Sequence, residues 1–178
     1  RYKYMIERQK LFEPVCITKS LIESVCDLAL ELKLQRIMID PSYISHSNYE
    51  KLSQKLNLID FYNITKDLRI IKSESELRNI IKAQEIAEKA FNFVLENITE
   101  GQTTKQIASL LDFKMNEFGS EEPAFSSIVV NEEESADCHG VPSNKVLKKG
   151  DLILFDFGAT FNGYRSDMTR TVALGKIS

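Results

Sequence analysis

The clearest hydrophobic pattern in the chain is a helical one near its middle. Apolar residues recur every three or four positions over residues 73–98, which predicts a long helix with one buried face. Ser73 followed by Glu76 has the spacing of a capping box and predicts where the helix begins. The positions expected to be buried are Leu77, Ile80, Ile81, Ala87, Phe91 and either Val94 or Leu95.

A second helix is expected shortly after the first. Thr103 and Gln106 form another capping box, and an apolar-periodic run covers residues 107–118. Gly119 is placed to end the helix in the left-handed conformation that glycine adopts without strain. The turn between the helices, at 100–102, is short, so the two helices should pack antiparallel.

The first third of the chain alternates two kinds of pattern. Short β-rich runs alternate with stretches of helical periodicity, an order typical of a small α/β domain. The predicted buried strands cover 14–17 and 36–40, a further strand covers 58–64, and the predicted helices cover 20–34 and 47–57. A domain boundary is expected near 65–72, which leads into the long helix.

After Pro123 the pattern changes to strands. Residues 124–130 and 151–157 are rich in β-branched and aromatic side chains, and a polar loop separates them. An Asn-Gly pair at 162–163 then predicts a tight hairpin, because both central positions of a type I′ turn have positive φ. A two-residue loop pairs Phe161 with Tyr164.

This hairpin register gathers two carboxylates. It places Asp156 opposite Thr169 and Gly158 opposite Asp167, and all four side chains project from one face of the sheet. The aspartates become diagonal neighbours about 7–8 Å apart, with room left by the glycine. Two carboxylates in one space repel each other unless a cation lies between them, which favours one or two divalent ions there, with Thr169 orienting a ligand. The alternative is a solvated pair without metal, and a shift of one residue would separate the pair.

Composition narrows the classes of function. The net charge is −3 and the pI about 5.5, without a stripe of Lys and Arg, which argues against binding to nucleic acid or to an anionic membrane. No apolar run approaches 18 residues and no signal peptide is recognised, so a cytoplasmic location is expected. Cys16, Cys26 and Cys138 lack metal-finger spacing and are expected to be reduced thiols.

Histidine chemistry would have to use one of two residues, His46 or His139. A lone loop histidine is usually solvent-exposed. Cys138 beside His139 raises the alternative of a thiol nucleophile with an imidazole base. Adjacent side chains on an extended chain point apart, which disfavours that pairing.

The segment "DFGATFNGYRSDMTRT" resembles the first metal-ligand hairpin of the pita-bread metallopeptidases. The branch it resembles is that of Xaa-Pro aminopeptidase and Xaa-Pro dipeptidase (prolidase), which share their fold with creatinase and methionine aminopeptidase. Four further segments agree with the family in order and spacing: "LRIIKSESELRNIIKAQEIAEKAF", "ITEGQTTKQIASLL", "FSSIVV" and "CHGVPSN…LKKGDLILFDFG".

The resemblance implies an α+β fold. Residues 1–66 would be the C-terminal part of a small creatinase-type α/β domain, and residues 67–178 the first half of a pita-bread catalytic domain. It further implies that Asp156 and Asp167 bind metal, Asp167 bridging two divalent ions, usually manganese or cobalt. His139 would bind the substrate beside them and stabilise the tetrahedral intermediate. The reaction implied is hydrolysis of the bond before proline, in a peptide with proline at its second position, by a dinuclear metal-bound hydroxide. A homodimer is a further family expectation.

Departures from the family pattern keep alternatives open. The family's remaining ligands, one His and two Glu, lie downstream of the second aspartate, so residues 1–178 are expected to be inactive alone and to hold no metal. Glu132, Glu134 and Cys138 stand where glycine, asparagine and proline are common, which leaves substrate fit open. The alternatives are a non-catalytic binding module and a creatinase-like hydrolase of another substrate. Dipeptidase against aminopeptidase action and the native metal also stay open.

Overall fold

The computed structural model describes residues 13–177, in two compact units, one ending at Ile71 and the other beginning at Lys72. The first unit has strand-helix-strand order, as predicted, and its two strands pair in parallel from Arg36–Asn57 to Ile39–Asp60. Its elements are α1 (Leu21–Glu31), β1 (Arg36–Ile39), a 3₁₀ turn (Pro41–Tyr43), α2 (His46–Ser53), β2 (Asn57–Asp60) and α3 (Ile64–Ile70). A small core is formed by Cys26, Ala29, Leu52 and Leu56.

Three strand predictions in this unit need correction. Residues 14–17 form no strand. Val15 and Ile17 are exposed, so no described element packs over this run. β1 is also less buried than predicted, because Met38 is exposed. β2 ends at Asp60, and Ile64, predicted as strand, begins α3. A short apolar run becomes a buried strand only where other elements cover it.

The second unit contains two helices and an antiparallel sheet. The strand order of the main sheet is β3-β4-β7, and β5 and β6 form a separate short hairpin. The elements are α4 (Glu74–Asn97), α5 (Thr104–Glu117), β3 (Ile128–Asn131), a 3₁₀ helix (Glu132–Ala136), β4 (Leu152–Phe157), β5 (Thr160–Phe161), β6 (Tyr164–Arg165) and β7 (Met168–Ala173).

Both helices begin as predicted. Ser73 and Thr103 are the N-caps of α4 and α5, and each forms a complete capping box with the residue three positions on. Gly119 follows α5 with φ of +107°, so the end of this helix is also confirmed. None of the described helices is long and apolar enough to cross a bilayer.

The buried face of α4 is shorter than its periodicity predicts. Ala87, Phe91 and Val94 are buried, but Leu77 and Ile81 are exposed. The first turns of α4 instead form polar contacts with the hairpin, since Tyr164 Oη donates to Glu76 Oε1 over 3.2 Å. The periodicity alone does not reveal where the covering element ends.

The core lies between the two helices and one face of the sheet. Ile153, Phe155 and Phe157 alternate along β4 and are fully buried. The ring of Phe91 on α4 meets Phe155 edge-on at 5.2 Å between centroids and lies 5.3 Å from Phe157. Burial of each such ring contributes about 1.5–3 kcal/mol. The core therefore holds β4 rigidly and directs its other residues to the opposite face.

Candidate metal centre

The predicted hairpin is confirmed together with its register. Asn162 and Gly163 have φ of +50° and +75°, as a type I′ turn requires. Phe161 pairs with Tyr164, and across the main sheet Asp156 pairs with Thr169.

Asp156 and Thr169 form the polar pair at the centre of the candidate site. Thr169 Oγ1 donates a hydrogen bond of 2.9 Å to Asp156 Oδ1. Asp156 is half-buried and Thr169 is exposed, so the pair lies on the face of the sheet turned away from the helices. The bond orients the carboxylate and leaves Oδ2 available to a ligand.

Asp167 precedes Thr169 by two residues and lies outside the paired ladder. It is exposed, and the β4–β7 pairing ends at Phe157–Met168, so Gly158 and Asp167 are not a ladder pair. A Cβ at Gly158 would lie 1.9 Å from the carbonyl oxygen of Ser166. The glycine is therefore needed for close backbone approach, a different reason from the room between carboxylates that the sequence suggested.

His139 lies on the loop that follows β3. Its side chain is exposed, and its backbone N–H donates to Asp137 Oδ1 over 2.9 Å. Within residues 13–177, no group of three or more His, Cys, Asp and Glu side chains is arranged to hold a metal ion. The described structure therefore brings Asp156 and Thr169 together but does not add His139 to the pair. The thiols of Cys16 and Cys138 are free and exposed, and that of Cys26 is free and buried.

With this geometry established, comparison with known proteins identifies the family. Residues 78–178 match the model of metallopeptidase family M24. The chain belongs to this family. The resemblance inferred from the five segments is thereby confirmed.

Relatives of the M24 chain agree with this placement. It is 42% identical over 135 residues to an Xaa-Pro dipeptidase of Pyrococcus furiosus, covering 74% of this chain and 39% of that protein. Among solved structures it matches an X-Pro aminopeptidase of Thermotoga maritima with a TM-score of 0.91 and 33% identity, over 99% of this chain and 51% of that one. An Xaa-Pro dipeptidase of Bacillus anthracis matches with a TM-score of 0.90 and 32% identity, again over 99% and 51%.

The M24 chain thus spans about half the length of its relatives or less. The matches extend over both units, which confirms the predicted α+β class and its correspondence to half of a prolidase-type structure.

The donor chemistry of the hairpin fits divalent ions. Carboxylate oxygens are hard ligands of the kind that manganese, magnesium and calcium prefer. Asp156 has one oxygen bonded to Thr169 and one directed to no described partner, which suits a ligand oriented by a neighbouring hydroxyl. Asp167 supplies a second carboxylate close by in the chain.

Sequence reasoning missed a buried pair at the base of the His139 loop. Asn131 and Asp151 are 1% and 5% exposed, and Asn131 Nδ2 donates to Asp151 Oδ2 over 2.7 Å. Burial alone would raise the pKa of Asp151, but hydrogen bonds from the Lys148 backbone N–H and from the Asn131 side chain, together with the Lys148 charge, hold that pKa below its ordinary value. The sequence feature that could have indicated this pair is the position of Asp151, directly before the apolar run of β4.

Proposed function

We propose that the protein is a metal-dependent exopeptidase that hydrolyses the peptide bond before proline. The observation that carries the proposal is the Asp156–Thr169 pair on the open face of an M24 hairpin. The relatives named Xaa-Pro dipeptidase and X-Pro aminopeptidase support the choice of substrate. Free cysteines are consistent with a cytoplasmic location.

The residues of this chain have separate roles in the proposed reaction. Asp156 and Asp167 would hold divalent ions, manganese or cobalt, which when bound activate water and polarise the scissile carbonyl. Thr169 holds the Asp156 carboxylate in one orientation through its 2.9 Å bond. His139 would donate a hydrogen bond to the substrate from its exposed position on the loop.

The test uses the complete gene product, because residues 1–178 cover about half of the relatives' length. The protein is stripped of metal with a chelator and assayed on an Xaa-Pro dipeptide and an Xaa-Pro-Xaa tripeptide, with and without added manganese. We expect manganese to restore cleavage, and the preferred peptide separates dipeptidase from aminopeptidase action.

Asp156→Asn provides the decisive variant. It keeps the side-chain shape and the acceptor for Thr169 but weakens metal binding, so kcat/KM should fall on the order of 100-fold, or about 2.7 kcal/mol. Asp67→Asn, which removes an exposed aspartate in the other unit, is the matched control and should retain activity. A folded wild-type protein that cleaves neither peptide with any divalent metal would instead favour a binding module.

A further inference from the structure

We propose that the hydrogen bond between Asn131 and Asp151 is the positioning device for the loop that carries His139. Asn131 and Asp151 would then be positioning residues, acting on the reaction through His139. The purpose of the device rests on the proposed function, whereas the placement of the loop can be measured without it.

The loop leaves the sheet at a buried anchor. Asn131 is the last residue of β3, and the 3₁₀ helix Glu132–Ala136 follows it directly. Asp151 Oδ2 accepts both from Asn131 Nδ2 over 2.7 Å and from the Lys148 backbone N–H over 3.0 Å. The carbonyl of Asp151 also accepts from the Leu174 N–H over 2.9 Å. One aspartate thus ties the loop to the start of β4 and to the chain that follows β7.

The loop returns to the same end of β3. A Cβ at Gly140 would lie 2.9 Å from Val130 Cγ1 and 3.3 Å from the carbonyl oxygens of Glu134 and Asp137. His139 immediately precedes this close approach, and its own N–H is bonded to the Asp137 side chain. Both ends of the loop therefore meet the last two residues of β3, and a shift of Asn131 would move the histidine.

The backbone at the entry to the loop needs this anchor. Glu132 has a φ of +50°, a left-handed conformation that is strained for a non-glycine residue. Lys145 helps to hold the turn, since its Nζ donates to the Asn131 carbonyl over 3.3 Å and lies 3.8 Å from Glu132 Oε2. Loss of the Asn131 amide would leave a buried carboxylate with fewer donors, so we expect the turn to relax and the loop to shift.

The two histidines make the placement measurable in residues 1–178. The chain should give two histidine Cε1–H cross-peaks in a carbon–proton NMR spectrum. His46, in the other unit, is the internal reference. Asn131→Ala breaks the anchor, and Asn131→Ser, whose hydroxyl is too short to reach Asp151, is the second variant if the first does not fold. Asp151→Asn keeps an oxygen that can accept both hydrogen bonds and serves as the conservative variant.

A matched control breaks a similar bond at the other end of β3. Ser127 Oγ donates to Asp112 Oδ1 over 2.5 Å just before the strand begins, and Ser127→Ala removes that bond. We expect Asn131→Ala to move the His139 cross-peak by more than its line width while the His46 peak stays in place. Asp151→Asn and Ser127→Ala should leave both peaks near their wild-type positions. An unmoved His139 peak in the Asn131 variants, with the protein destabilised, would overturn the proposal.

Activity of the complete gene product gives the second readout. We expect Asn131→Ala to lower kcat/KM about 10-fold relative to Ser127→Ala. The conservative variant Asp151→Asn should retain most of the wild-type kcat/KM. If the wild-type protein cleaves no Xaa-Pro peptide, the proposed function fails while the NMR result still decides the placement. If the wild type is active and Asn131→Ala matches Ser127→Ala, the positioning role is wrong.

Discussion

The two faces of the β3-β4-β7 sheet differ in almost every property. On the face packed against the helices, Ile153, Phe155 and Phe157 are fully buried. On the other face, Leu152 is 45% exposed, and Asp156 lies opposite the exposed Thr169. Because the same six residues of β4 supply both faces, a single strand holds the core and presents the candidate ligand.

In this sheet, alternate residues of a strand therefore serve different purposes, one set stabilising the fold and the other facing the candidate site. Side chains alternate between the faces with a period of two, so neighbouring residues of one strand meet opposite environments. Substitutions on the helix-packed face should therefore change the free energy of unfolding, and substitutions on the open face should change activity.

The largest effect is expected for Phe155→Ala on the helix-packed face. Phe155 is fully buried and contacts the ring of Phe91, so its removal leaves a cavity and should cost about 3–5 kcal/mol of unfolding free energy. Thr171→Ala, at an exposed position on the open face, is the control and should stay within about 0.5 kcal/mol of the wild type. Chemical denaturation measures both, and equal losses would contradict the division by face.

Gly158→Ala tests the point at which the β4–β7 pairing stops. The new Cβ would overlap the carbonyl of Ser166, so the two backbones must move apart, at a cost of about 1–3 kcal/mol or more. Gly163→Ala is the comparison, because its Cβ would meet open space and only its φ of +75° is unfavourable, at about 1–2 kcal/mol. A smaller loss at 158 than at 163 would mean that the close approach is easily relieved.

Two aspartates, each bonded to a residue at a different end of β3, should change the stability of the fold with pH in opposite directions. The lowered pKa of Asp151 means that its charged form stabilises the fold above the unfolded-state value of about 4 and that this stabilisation is lost as the pH falls below it. Burial raises the pKa of Asp112 despite its bond from Ser127, so the fold gains stability as the pH falls through that raised pKa towards 4.

Denaturation of wild type, Asp151→Asn and Asp112→Asn between pH 7 and pH 3 separates the two contributions. The advantage of the wild type over Asp151→Asn should shrink below about pH 4. The wild type should instead gain on Asp112→Asn as the pH is lowered from 7. Parallel curves for all three proteins would show that neither carboxyl has a shifted pKa.

The smallest effect on stability is expected at Asp156, the residue with the largest expected effect on activity. In Asp156→Asn the new amide oxygen would still accept the hydrogen bond from Thr169, and the half-buried side chain lies on the open face of the sheet. The free energy of unfolding should therefore change by no more than about 0.5 kcal/mol. Denaturation at pH 7 measures this. A loss comparable to that of Phe155→Ala would place Asp156 in the fold's core instead of its site.

Local signals account for what the sequence predicted well. The capping boxes at Ser73 and Thr103 satisfy helix N–H groups with side chains three residues away, and the Asn162–Gly163 turn sets the strand register by itself. These interactions involve residues close in the chain, so a reader of the sequence can identify them. The pairing of Asp156 with Thr169 followed from that register.

What the sequence could not predict depends on partners distant in the chain. Leu77 and Ile81 keep the helical period yet are exposed, because the sheet covers only later turns of α4. Asn131 and Asp151 lie 20 positions apart and meet only when β3 and β4 pair.

The residue order alone was thus enough to predict where α4 and α5 begin, the hairpin, its register and the family to which the chain belongs. Which apolar positions are buried, why Gly158 has no side chain and what holds the His139 loop to the sheet became visible only in the folded chain. The physical reason is that capping and turn geometry are set within a few residues, whereas burial and close backbone approach exist only between elements already packed together.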